Sequence, residues 1–207
     1  MLWCWAETML GPVNSTKVAE VRIGMLKVQL YGVMLATITV LLCMAIAVIR
    51  GYKTSQDSRW DYLIALALAA PFLVVHEPLH GLAAVLYGRV RWRDLRFGVS
   101  WRAGGATCHI KVPITVKAAR ITGIAPLILS APITLVILLM YPSRVTAMLA
   151  AFTLVVCTGD MLMLHRLQPY DAHLLFVDHP SECGFDIYQP ERAGPAAPDS
   201  HPGKGTD

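Results

Sequence analysis

Residues 62–87 read YLIALALAAPFLVVHEPLHGLAAVLY, and their reading decides the fold. Between Tyr62 and Tyr87 only His76, Glu77 and His80 carry strongly polar side chains. Crossing the hydrocarbon core takes about 20 residues as a helix, so this stretch is long enough. His-Glu-x-x-His on a helix puts two imidazoles one turn apart on one face, with Cβ atoms about 5–6 Å apart. Catalytic zinc uses that arrangement: about three protein ligands at roughly 2.0–2.2 Å, with one position open for water. Glu77, beside the first His, is placed to accept a proton from that water.

Chance explains the pattern poorly. Seven His and five Glu, placed at random, would produce it roughly 0.006 times in a chain of this length. Two His and a Glu inside an apolar span are also costly unless paired or metal-bound, which makes them functional candidates. The structural alternative is a pair of buried histidines hydrogen-bonded to neighbouring helices. It accounts for neither the spacing nor the Glu.

Composition agrees with a membrane chain. Of 207 residues 55% are hydrophobic and 15% charged, with a mean hydropathy of +0.51. Soluble domains carry nearer 25% charge. Four spans are long enough, near Val28–Ile49, Tyr62–Tyr87, Ile121–Met140 and Val145–Leu164. The expected fold is an all-α integral membrane protein of about four transmembrane helices. It divides into an N-terminal segment 1–27, a metallopeptidase-like membrane domain 28–190 and a disordered tail 191–207, where Pro, Gly, Ser and charge dominate. Five scattered cysteines without C-x-x-C spacing exclude a disulfide framework or zinc ribbon. No basic stripe interleaved with aromatics points to nucleic acid.

Basic residues set the orientation. Lys17, Arg22, Lys27, Arg89, Arg91, Arg93, Arg96, Arg102, Lys111, Lys117, Arg120 and Arg166 fall on one side of a four-span chain, twelve in all. Arg50, Lys53, Arg59 and Arg144 make four on the other. The expectation is a multi-pass protein of the cell membrane with both termini cytoplasmic. The basic segment between spans two and three faces anionic lipid in that arrangement. It also carries two extended runs, 91–99 and 107–112, separated by Gly104-Gly105. That pattern predicts a small cytoplasmic β-hairpin between helices 2 and 3.

Prolines 71, 78, 126 and 132 lie inside the second and third spans, where kinks are expected. Pro78, within the motif, frees the carbonyl of Val74 and biases Glu77 away from ideal helical geometry. In the fourth span Asp160 is the only acidic residue. His80 lies seven residues before the end of its span at Tyr87, and Asp160 six before Arg166, so the two should meet at one level. Gly159 would let the helices approach. Asp160 is the candidate third zinc ligand; the alternative is a protonated carboxyl bonded to neighbouring backbone. Cys108 and His109 are adjacent and diverge in a strand, which suits ordinary strand residues better than ligands. His165 is near the interface, His173, His179 and His201 lie beyond it, and Cys157 is a small core residue.

In this order HEPLHG, Phe97-Gly98 through Thr107-Cys108, Ile124-Ala125-Pro126, Thr158-Gly159-Asp160 and Asp178-His179-Pro180…Gly184-Phe185 resemble the family of putative zincin peptidases. That membrane family is distantly similar in plan to the site-2 proteases. The resemblance covers roughly 60–190. It implies Zn2+ held by His76, His80 and a carboxylate from a later helix, matched here by Asp160, with Glu77 as catalytic base. Pro78 inside the motif departs from the pattern, and Gly precedes Asp160 where site-2 proteases carry Asp-Gly.

The expected activity is an intramembrane zinc metalloprotease that hydrolyses membrane-protein or membrane-peptide substrates. Glu77 would be the general base and a zinc-bound water the nucleophile. The hairpin at 91–112 could hold an unwound substrate as an added strand. The rival is a non-catalytic membrane protein that keeps the fold and binds a partner. A small transporter would want internal repeat symmetry, and none is visible.

Overall fold

Long apolar runs bounded by polar caps form the helices of the computed structural model, which describes residues 15–49, 59–100, 105–179 and 183–191. Helix α1 (Met25–Ile49) is apolar round most of its circumference and packs at Gly32 against Val155 and Thr158. Helix α2 (Arg59–Gly88) runs unbroken through Pro71 and Pro78. Helix α3 (Val116–Met140) starts earlier than the apolar run because the Thr115 side chain accepts from the Ala118 amide and caps it. Helix α4 (Arg144–Val156) opens with a capping box between Ser143 and Thr146. A break at Cys157 leads into the shorter α5 (Thr158–Leu167).

Among the described residues four segments are long and apolar enough to cross a membrane: Met25–Ile46, Leu63–Gly88, Val116–Met140 and Arg144–Leu167. The fourth is α4 and α5 taken together.

The all-α expectation needs correction, because two sheets are present among the described residues. The first pairs β2 (Leu95–Ser100) with β3 (Gly105–Ile110), antiparallel, between α2 and α3. Its position is narrower than 91–112. Trp92–Asp94 forms a turn of 3-10 helix, and the ladder begins at Leu95 opposite Ile110. The turn residues 101–104 lie outside the described residues, as does all but the first residue of the tail expected over 191–207.

The second sheet has four strands in the order β1-β6-β5-β4. β4 (Ile114–Thr115), β5 (Leu175–Asp178) and β6 (Gly184–Pro190) follow the helices, and β1 (Ser15–Arg22) precedes them. The sequence reading assigned no strand to 1–27. Alternation there is interrupted by charge, and the strand forms because β6 offers it an edge. Lys17 and Arg22 reach Asp186 across the pair at 3.0 and 3.2 Å. Gly184 is required at the contact, since a Cβ there would collide with the Val21 carbonyl oxygen.

The core lies where sheet, hairpin and helix ends meet. Phe185 and Ile187 from β6, Phe176 from β5, Val116 from α3 and Leu167 from α5 are almost wholly buried there. Arg120 ties α3 to the end of α5, its Nη2 facing the carbonyls of Leu167, Gln168 and Tyr170 at 2.9, 3.1 and 2.7 Å. Those carbonyls lie at the last residue of the helix, its cap and the turn that follows, where the helical ladder of donors has ended.

Candidate metal centre

Helical spacing brings the two motif histidines onto one face of α2 despite Pro78. Their ring centroids are 5.0 Å apart, and both residues are buried. Asp160, in the first turn of α5, comes down between them. Its Oδ2 lies 3.2 Å from His76 Nε2 and 3.3 Å from His80 Nε2. One ligand atom from each residue falls within 4.8 Å of the other two.

The donor chemistry around His80 restricts what can lie there. His80 Nδ1 is 2.8 Å from the Thr122 carbonyl oxygen, which can only accept, so Nδ1 carries the hydrogen. In the neutral ring Nε2 then presents a lone pair, and it faces a carboxylate oxygen. Two acceptors aimed at each other need a proton or a cation between them. Ligand atoms about 2.0–2.2 Å from a tetrahedral zinc stand about 3.3–3.5 Å apart, which the two nitrogen–oxygen separations approach. An imidazole that binds metal through one nitrogen and donates from the other to a backbone carbonyl is the usual outer support of such a site. His76 Nδ1, by contrast, is buried with no hydrogen-bond partner among the described residues. The residues fit zinc.

Thr122 is available for a reason written in the sequence. Residue 126, four positions on, is proline, and proline has no amide hydrogen to give the Thr122 carbonyl. The break in the α3 ladder therefore supplies an acceptor at the depth of His80. From the sequence Pro126 predicts a kink and forms part of the family-like Ile124-Ala125-Pro126 run, but neither reading points to the Thr122 carbonyl.

Glu77 is half-buried beside this cluster, and the backbone of Cys108 on β3 faces its carboxylate. The hairpin reaches α2 because residue 81 is glycine. A Cβ there would meet the Phe97 ring at 2.7 Å and Leu95 at 3.1 Å. The Cys108 thiol is pushed up to about 12, by burial first and then by the Glu77 and Asp178 carboxylates. Burial likewise raises Cys183, with Asp178 and Asp160 adding to it.

His76, His80 and Asp160 thus converge, with Glu77 beside them. The other candidates do not join. His109 pairs with Asp178, its Nδ1 2.8 Å from Oδ2. Cys157 is fully buried against Ser130, and His165 and His173 are exposed. His201 lies outside the described residues. The Thr122 carbonyl and Asp178 were missed as parts of the site. Pro126 could have found the first, and the Asp178-His179-Pro180 run marked the neighbourhood of the second.

A comparison with curated proteins and one with solved structures found no match. A family model described as "Putative zincin peptidase" matches residues 69–174, just over half of the chain. That stretch spans both motif histidines, Glu77, the hairpin, Thr122 and Asp160, and the chain belongs to the putative zincin peptidase family.

Proposed function

We propose that this protein is a zinc metallopeptidase of a membrane, acting on membrane-protein or membrane-peptide substrates. The observation that carries the reading is the single Asp160 oxygen facing both motif imidazoles at 3.2 and 3.3 Å. His76, His80 and Asp160 would hold the metal, which supplies the Lewis acidity that activates water and polarises an amide carbonyl. Glu77 takes the proton from the attacking water and returns it to the leaving amine. The Cys108 backbone on β3 faces the Glu77 carboxylate and would help to orient it for proton transfer. The Thr122 carbonyl keeps the His80 ring turned so that Nε2 faces inward.

The substrate would lie extended beside the hairpin. The β3 edge is taken near Glu77, so an added strand would pair with β2, whose other edge has no partner strand among the described residues. A multi-pass protein of the cell membrane with both termini cytoplasmic is the topology proposed. The twelve-to-four basic asymmetry supports it. So does the sheet that joins residues 15–22 to residues 184–190, since an even number of spans returns the chain to its starting side.

The test compares membrane-protein fragments in cells carrying the wild type or Glu77→Gln, alongside the zinc content of both purified proteins. The peptidase reading expects equal zinc and loss of a set of fragments in the variant. Identical fragments with equal zinc would favour the second reading, a partner-binding protein that keeps the metal.

A further inference from the structure

We propose that Asp178 is a positioning residue that sets Glu77, acting through the hairpin strand β3. The proposal rests on Glu77 being the proton-transferring group of the reading above. Asp178 stands at the end of β5, which is paired on both sides, with β6 and with β4. The carboxylate is therefore anchored on an interior strand of the four-stranded sheet, with Asp178 itself paired to Phe185 of β6. It reaches out of that sheet to the other one. Its Oδ2 accepts from His109 Nδ1 at 2.8 Å and from the Ile110 backbone N–H at 3.3 Å.

Strand geometry shows what this grip does. Just past β3 the Lys111 N–H bonds to the Asp94 carbonyl at 3.0 Å. In an antiparallel pair the backbone groups of successive residues alternate between the partner and the open edge. Odd-numbered residues of β3 therefore aim their backbone at β2, and residues 108 and 110 aim theirs away from it. Two carboxylates meet that open edge, Asp178 at Ile110 and Glu77 at Cys108. The hairpin thus lies between an anchored acid on the sheet and the motif acid on α2.

Two consecutive donors on one oxygen fix β3 along its own axis to within a fraction of a residue. A slip of one residue would turn the 108 amide toward β2 and take it away from Glu77. The hairpin also meets α2 through apolar packing, with Leu95 and Phe97 on Gly81. Apolar packing is non-directional and does not itself aim an N–H. Asp178 supplies the direction.

The experiment uses the full chain in detergent micelles with zinc present. Amide hydrogen exchange is read with overlapping peptides that isolate Cys108, and for comparison over 184–190. Asp178→Ala and His109→Ala should each raise Cys108 exchange at least about tenfold while 184–190 keeps its wild-type rate. Asp178→Asn keeps an oxygen that both donors can reach and should hold Cys108 exchange near the wild-type rate. Unchanged Cys108 exchange in Asp178→Ala overturns the proposal. So does a rise matched over 184–190, since Asp178 would then only stabilise its own sheet. In cells, Asp178→Ala should retain zinc yet lose the fragments that Glu77→Gln loses. Wild-type fragments from Asp178→Ala, where Glu77→Gln loses them, also overturn it. If Glu77→Gln loses none, the peptidase reading fails, and the exchange measurement alone decides whether Asp178 sets the strand.

Discussion

The Thr122 carbonyl oxygen lies 2.8 Å from His80 Nδ1, joining α3 to α2 through a backbone group that Pro126 leaves without its helical donor. A helix defect and an imidazole orientation are here one feature. Filling the defect should therefore disturb the metal centre without damaging the helix.

Pro126→Ala tests this directly. Alanine restores an amide that competes for Thr122 and favours a regular helix. Zinc affinity should fall about 10–100-fold, the usual cost of losing an outer-shell partner, while the melting temperature holds or rises. Chelator competition against the purified variant measures the first and thermal unfolding the second. Unchanged affinity would show that the His80 ring needs no such support.

The metal set makes a separate prediction. His76→Ala and His80→Ala should each abolish stoichiometric zinc, because two remaining ligands rarely hold a catalytic ion. Asp160→Asn should weaken binding strongly, a neutral amide being a poor zinc ligand. If Asp160 serves only as a hydrogen-bonded carboxyl, the amide can replace it and metal content will not move. Elemental analysis of the purified variants separates the two outcomes.

Packing of the hairpin on α2 can be probed at Gly81. Gly81→Ala puts a methyl 2.7 Å from the Phe97 ring, and overpacking of this kind costs about 1–3 kcal/mol. Phe97→Ala in the same chain should recover much of the loss, and a double-mutant cycle on thermal stability reads the coupling. Additive effects would mean the two residues do not meet.

Cys108 offers a pH test. Thiolate is the reactive form, and the Cys108 thiol is pushed up to about 12, above the roughly 8.5 of a free cysteine. Its alkylation should be slow at pH 7 and climb about tenfold per unit through pH 9–11, where a free thiol levels off. Unfolding the protein should restore ordinary reactivity. A levelling near pH 9 in the folded protein would place the thiol in water.

Most of the helical frame was legible because apolar length and the His-Glu-x-x-His spacing are local signals. The meeting of Asp160 with His76 and His80 was legible too, since a lone carboxylate in an apolar span has few ways to be satisfied. The four-stranded sheet was not. Ser15–Arg22 carries charge at three of its eight positions and becomes a strand only beside Gly184–Pro190, a pairing no local window contains. Nor was the role of the Thr122 carbonyl, because a backbone group has no letter of its own. The helix-breaking residue four places on was its only trace.

The pairing of β1 with β6 also dictates a schedule. Arg22 and Asp186, bonded at 3.2 Å, are 164 residues apart. Every helix must be synthesised before the partner of the first strand exists. Contacts that span such loops form late, after the loop-closure entropy has been met by other structure. Residues 15–22 therefore wait as an unpaired polar segment while the bundle assembles. Deleting them should leave helix insertion intact and expose the outer edge of β6, making this ladder the final closure of the molecule.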